Sequence, residues 1–495
     1  MPNVISPAML ILIISLYFLA LMGISWWKSR KSDADSYFLG NKSSPWYLVA
    51  FGMIGDSLSG VTFVSVPGEV GVKHFAYMQV VLGYLVGYFV IAKVLLPMYY
   101  RMNLTSIYSY LGERFGITAQ KTGSVYFLLS RTIGAAYRLF ISASVLQIFL
   151  FEPMGVPFWV SVTIIIILIL LYTLKGGIRS LIWTDTFQSL FLLLGVVLTA
   201  WSIIDKLDWS FGEAIQGIAS SEYAEVFNWD VKSKLYFWKQ FISGAFIAIV
   251  MTGLDQNMMQ KNLSCRSLPE AQKNVLWFSV IVVVVNLVFV SLGALMFIYA
   301  GQAGIEVPVK TDTFLPMLTL NHLGLFASVV FLLGITAATF SSADSVLTTL
   351  TTSFYIDILG LDKRSDRTEA SKIRSRNLIH AGFSVLLLLV ILIFRLINKD
   401  SVITGIFVAA GYTYGPLLGL FAFGILSKRG VNSIGVPVVA VLAPILTYIC
   451  TLYSEQLLYG YKIGFELLLI NGLFTYMGLL LISHRNSVGQ TPKVD

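Results

Sequence analysis

The chain has 495 residues, of which 56% are hydrophobic and only 12% charged, and its mean hydropathy is +0.78. Soluble globular chains carry roughly 25% charged residues, so this composition excludes a soluble domain and places the chain in a membrane. The net charge of +8 does not point to nucleic acid, because it is distributed by loop.

A spanning helix needs about 20 apolar residues. The hydropathy pattern predicts thirteen of them, near 8–27, 46–70, 75–100, 122–151, 157–174, 181–204, 235–259, 274–301, 322–357, 377–397, 401–427, 434–453 and 461–483. No Lys or Arg precedes the first segment and three follow it closely, the reverse of a cleaved leader, so it is read as a retained helix. Basic residues gather in alternate loops, at Lys28, Arg30 and Lys31, at Arg101, Arg114 and Lys121, at Lys175 and Arg179, over Lys363 to Arg376, and at Lys428 and Arg429. The 205–234 loop is acidic, with six carboxylates against three lysines. By the positive-inside rule the N-terminus is outside and the C-terminus cytosolic, in the inner (plasma) membrane. Termini on opposite sides require an odd number of spans, and thirteen satisfies it.

The second segment is interrupted at GMIGDSLSG, with Gly52, Gly55, Gly60 and Asp56, and the seventh at SGAFIAIVMTGLDQNMMQ, with Gly244, Gly253 and Asp255. They lie five spans apart, which inverts their orientation. Paired interruptions in two inverted halves point to a transporter binding site; the other reading is close packing of helices at small residues. The implied organisation is 1–44 leading helix and link, 45–204 first repeat, 205–234 extracellular loop, 235–427 second repeat, and 428–495 two final helices and a short tail.

Between Thr336 and Ser353 ten of eighteen residues carry a hydroxyl. Buried hydroxyls need partners, and so many predict an oxygen-lined face, which suits a dehydrated hard cation. Ser341 and Ser345 share a face at i, i+4, with Ser342 adjacent. The two hydroxyls of Ser341 and Ser342, the carbonyl of Ala338 and freed carbonyls at Gly55 and Leu58 would complete a five-oxygen cage; the other reading is hydroxyls packed against neighbouring helices. Asp185 is open to two readings, a site for a second cation or a proton, or a place in the cytosolic interface. Arg138, mid-span, needs a carboxylate, either Asp56 or that of a substrate. Lys93 is close enough to a span end to snorkel. Two cysteines, Cys265 and Cys450, and histidines at 74, 322, 380 and 484 supply neither a disulfide nor a catalytic cluster, so neither an enzyme nor a sensor is indicated. A passive channel would share hydroxyl-lined helices but not a cation cage tied to two broken ones.

Five stretches carry a family resemblance: SLSGVTFVSVPGE, LPMYYRMNLTSIYSYLGERFG, LKGGIRSLIWTDTFQ, LDQNMMQKNLSCRSLPEA and TFSSADSVLTTL. Over about residues 35–425 the chain resembles the sodium:solute symporter family. That resemblance implies an all-α polytopic membrane protein with an inverted five-plus-five helix core of the leucine-transporter type. It implies Na+ as coupling ion at Gly55, Leu58, Ala338, Ser341 and Ser342, and, as in some members, a second sodium at Asp185 and Ser345. It also implies a small organic solute as partner, the bilayer as surroundings, and a functional monomer. Ser57, Ser59, Thr62 and Arg138 align with the carboxylate-binding set of sialic acid carriers, with Asp56 and Tyr77 beside them. The expected glutamine is Val81 here, and Gln79 lies two residues away. A carboxylate-bearing solute (sialic acid or a monocarboxylate) is therefore expected, with a sodium/sugar symporter as the alternative. Two departures stand out: Asp56 where a neutral residue is usual, and Gln260-Lys261 in place of Gln-Arg, expected to alter mainly cytosolic packing.

Overall fold

The computed structural model describes residues 7–29, 42–173, 177–362, 368–397, 402–457 and 459–484. The basic positions Arg30, Lys31, Lys175, Lys363, Arg364 and Arg367, part of the LKGG stretch and the tail after 484 lie outside them. Each of the thirteen expected segments contains helix. In chain order these are α1 (Pro7–Ser29), α2 (Trp46–Ser57) and α3 (Gly60–Lys73), α4 (Tyr77–Val90, continued to Arg101), α5 (Ile117–Leu146), α6 (Phe158–Thr173) and α7 (Gly177–Lys206). They continue with α8 (Phe237–Ala248) and α9 (Gln256–Leu263), α10 (Leu268–Ala303), α11 (Leu325–Ser353), α12 (Glu369–Ile397), α13 (Val402–Leu426), α14 (Val436–Leu457) and α15 (Leu467–Leu481). By length and apolarity alone, eight helical stretches among the described residues are able to cross a membrane, or nine if the bent pair α8–α9 is one span. The difference from thirteen has physical causes. α6 and α15 have 16 and 15 residues, short of the ~20 a span needs, α2 ends at a break, and α5 carries Arg131 and Arg138.

The outer helices turn leucines and valines to their surroundings. In α1, Leu12, Leu16 and Leu19 are exposed while Tyr17, Phe18 and Leu21 are buried. In α14, Val438, Val441, Leu442 and Ile445 are exposed in the same way. α11 is the opposite, buried without interruption from Gly334 to Ser353. This helix is the centre of the molecule. Its hydroxyls are not all free for an ion. Thr336, Thr339, Thr349, Thr351 and Thr352 each donate to the carbonyl one turn back, the cheapest satisfaction a membrane helix offers. The oxygen-lined face is therefore narrower than the bare hydroxyl run implies.

Both expected interruptions are real breaks. α2 stops at Ser57, and Leu58 (φ −101, ψ 84) and Ser59 (φ −84, ψ 179) run extended before α3 begins. α8 widens into a π-type turn over Ile249–Gly253, and α9 leaves it at 64°. Asp255 caps α9 by accepting from the Met258 N–H at 3.1 Å.

Not every glycine near a break serves it. A Cβ on Gly244 would lie 2.1 Å from the Val80 carbonyl oxygen, and one on Gly83 would lie 2.0 Å from that of Phe241. α4 and α8 thus meet backbone to backbone, as small residues permit in membranes. Gly244→Ala should force the pair apart and cost ~1–3 kcal/mol, as overpacking typically does. Thermal unfolding in detergent should register that loss, and an unchanged midpoint would contradict the close contact.

Candidate functional site

The break in α2 opens onto a cavity. Asp56, Ser57, Ser59, Thr62, Tyr77 and Arg138, all expected from the sequence, line it. Arg138 reaches in from α5. Its Nη1 donates to the backbone carbonyl of Asp56 at 2.6 Å, and its buried Nε has no hydrogen-bond partner. The expected alternative, a carboxylate pair between Arg138 and Asp56, is not what forms: Arg138 takes the main chain and Asp56 turns its side chain elsewhere.

Gln79 does not line the cavity. It is fully buried, its Nε2 donates to the carbonyls of Ala76 and Leu235, and its Oε1 accepts from the Asn228 N–H. The amide ties α4 to the acidic loop. Tyr84, Tyr88, Met251, Asn286 and Phe407 line the cavity unannounced by sequence reasoning. Asn286, at 1% exposure with an unpartnered Oδ1 in the apolar α10, carried the one usable signal, a buried amide among valines.

Behind the break, the hydroxyls of Ser341 and Ser342 are buried and unpartnered. A Cβ added to Gly55 would lie 2.5 Å from Ser341 Oγ, so α2 and α11 touch there. Ending α2 at Ser57 leaves the carbonyls of its last turn without a following turn to accept from. Ala338 sits one turn before Ser342 on the same buried helix.

Beside these serines lies a densely charged junction. Lys261 of α9 is 1% exposed. Its Nζ bonds to Asp56 Oδ2, to Asp185 Oδ2 at 2.5 Å and to Ser345 Oγ at 2.9 Å. Ser345 Oγ in turn donates to Asp185 Oδ2 at 3.3 Å. Asp185 and Ser345 are brought together as expected, with an ammonium group between them. Lys261 was expected to affect cytosolic packing and instead occupies the interior. The missed signal is α9 itself: every residue of QNMMQKNL is buried, and a polar helix buried at membrane depth must face polar partners. Nearby, Asp344 accepts from Tyr172 Oη at 2.7 Å and from the Ser345 N–H at 2.6 Å.

A second charged pair escaped the sequence. Arg131 Nε lies 2.7 Å from Asp255 Oδ2 and Nη2 donates to Oδ1 at 2.9 Å. Tyr414 of α13 donates to Asp255 Oδ2 at 2.5 Å. This ion pair closes the α8–α9 break against α5.

Residues 37–436 match the sequence model of the sodium:solute symporter family. The chain belongs to that family. It is a multi-pass transporter that couples a solute to sodium, not an enzyme. The symporter is 24% identical to the sodium/sialic acid symporter of Proteus mirabilis over 458 residues, covering 88% of each chain. It is 26% identical to the sodium/sialic acid symporter of Aliivibrio fischeri over 453 residues, covering 87% of this chain and 85% of the relative. Its structure superposes on that of a substrate-bound, outward-open Na+-coupled sialic acid symporter with a TM-score of 0.81 at 22% identity, over 96% of this chain and 99% of the other. The fold is therefore the leucine-transporter type.

Arg131→Met would strand the Asp255 carboxylate, and breaking one side of a buried pair typically costs ~3–5 kcal/mol. Adding Asp255→Asn removes the stranded charge yet keeps a capping side chain, and should recover most of that loss. Thermal unfolding of the purified symporter checks both; a double variant no more stable than the single one would contradict the pairing.

Proposed function

We propose that this symporter carries a carboxylate-bearing solute in the cavity at Arg138, driven by sodium bound at Gly55, Leu58, Ala338, Ser341 and Ser342. The observation that carries the sodium reading is the pair of buried, unpartnered serine hydroxyls against the broken end of α2. Unsatisfied buried polar groups are costly, so their retention fits a ligand that needs oxygens. The residues present fit the ion: hydroxyl oxygens from α11, backbone carbonyls from the break, and no nitrogen or sulfur, the donor set of a hard cation. Bound sodium would supply the driving force, and these residues would exchange its water for protein oxygens. The basic loops favour an orientation with the 205–234 loop outside and the C-terminus in the cytosol, so that sodium and solute enter the cell together.

The solute reading rests on Arg138. A buried guanidinium nitrogen without a partner, in a cavity with Ser57, Ser59 and Thr62, is suited to a carboxylate. Asn286 and the tyrosines Tyr77, Tyr84 and Tyr88 add hydrogen-bonding and stacking surface for a hydroxylated body. Two relatives named above carry sialic acid, an acidic sugar, which agrees with this chemistry.

Ser341→Ala and Ser342→Ala should each weaken sodium binding by ~1–3 kcal/mol, the cost of one lost oxygen at a buried polar site. Sodium titration of thermal stability would read the loss, and wild-type affinity in both variants would reject the site. Arg138→Lys keeps the charge and loses the planar fork, so N-acetylneuraminate should protect the variant from heat far less than wild type while sodium protects it equally. A neutral hexose that protects wild type as well as the acid would reject the carboxylate reading.

A further inference from the structure

The coupling ratio of this symporter follows from what fills the Asp185–Ser345 junction. We propose that the Lys261 ammonium is a tethered cation standing where a second sodium ion would bind, so that one sodium moves per solute. The inference rests on the sodium reading of Ser341 and Ser342 given above.

Three oxygens from three helices converge on Lys261 Nζ: Asp56 Oδ2 of α2, Asp185 Oδ2 of α7 and Ser345 Oγ of α11. An ammonium group has three donors and no acceptor, so this set satisfies it completely. The same oxygens are what a dehydrated alkali cation would require. Ser345 Oγ accepts from the lysine and donates its one proton to Asp185. An ion cannot share these ligands with a positive charge already at their centre. The junction is fitted for a cation and already holds one.

The lysine travels with the protein through both halves of the cycle, so it adds no net charge movement and draws nothing from the sodium gradient. At 100 mV and a tenfold sodium gradient, each coupled ion is worth about 500-fold in attainable solute accumulation. The lysine lowers that ceiling by this factor and halves the sodium used per solute.

The test is equilibrium binding of radioactive sodium to the purified full chain, with no solute present. Wild type should bind one ion per chain. Lys261→Ala should bind two, and Lys261→Ala with Asp185→Asn should return to one. Removing the lysine alone strands two carboxylates, so Lys261→Ala with Asp56→Asn serves as a second variant that keeps Asp185 and Ser345; it too should bind two. Two ions on wild type, or one on either folded lysine variant that retains Asp185, overturns the proposal. If neither variant folds, the wild-type count decides, one supporting the proposal and two overturning it. No sodium on wild type but one on a lysine variant would overturn the serine site and leave the tethered cation standing. No sodium on any form overturns both.

Discussion

Charge cannot stay unpaired between membrane helices, and the breaks of this fold are held by the ways the chain meets that demand. Asp56 stands at the end of α2 and Asp255 at the start of α9, each beside a break. Each is taken by a cation from another helix, Lys261 for the first and Arg131 for the second. Through Lys261, α9 is tied to α2, α7 and α11; through Asp255 and Tyr414, the other break is tied to α5 and α13. Unwound backbone at membrane depth survives only where protein or a water-filled cavity satisfies it. The ion pairs fix where that backbone lies.

This arrangement also explains why the glycines differ in purpose. Gly55 has a side chain's width of space taken by Ser341 and Ser189, so α2 lies directly on the hydroxyl face of α11 and on α7. Gly83 and Gly244 instead bring α4 against α8, backbone to backbone. The sequence shows only that small residues recur, and both uses are consistent with it.

The architecture was legible because it follows from local rules: apolar length, paired interruptions at Gly55–Gly60 and Gly253–Asp255, and the hydroxyl run of α11. The cavity wall at Ser57, Ser59, Thr62 and Arg138 was legible for the same reason, since a break and a mid-span arginine are visible one at a time. What failed depends on which neighbour a long side chain reaches. Arg131 and Arg138 lie two turns apart on α5, and nothing local says that the first meets Asp255 while the second enters the cavity. Lys261 lies at the end of a short polar helix after a 64° bend, and its direction is set by that bend. Gln79 lies between the cavity-lining Tyr77 and Tyr84, and only its angle around the helix turns its amide to the loop side. Five of the α11 hydroxyls bond to their own helix, a choice made by side-chain rotation that composition cannot show.

Residues 55–58 touch everything the proposed cycle requires. Gly55 abuts Ser341, the Asp56 carboxylate meets Lys261, the Asp56 carbonyl accepts from Arg138, and Ser57 opens on the cavity. A sodium ion held by the carbonyls of Gly55 and Leu58 would fix the backbone of the two residues between them. Fixing that backbone places the Asp56 carbonyl, and the carbonyl orients the guanidinium of Arg138. A carboxylate on Arg138 would act on the same segment from the other side. Two ligands that order one short stretch at the end of α2 each lower the cost of binding the other, and by linkage the effect is equal in both directions. Coupling then needs no path across the protein. In the proposed cycle it would reside in the four residues where α2 ends.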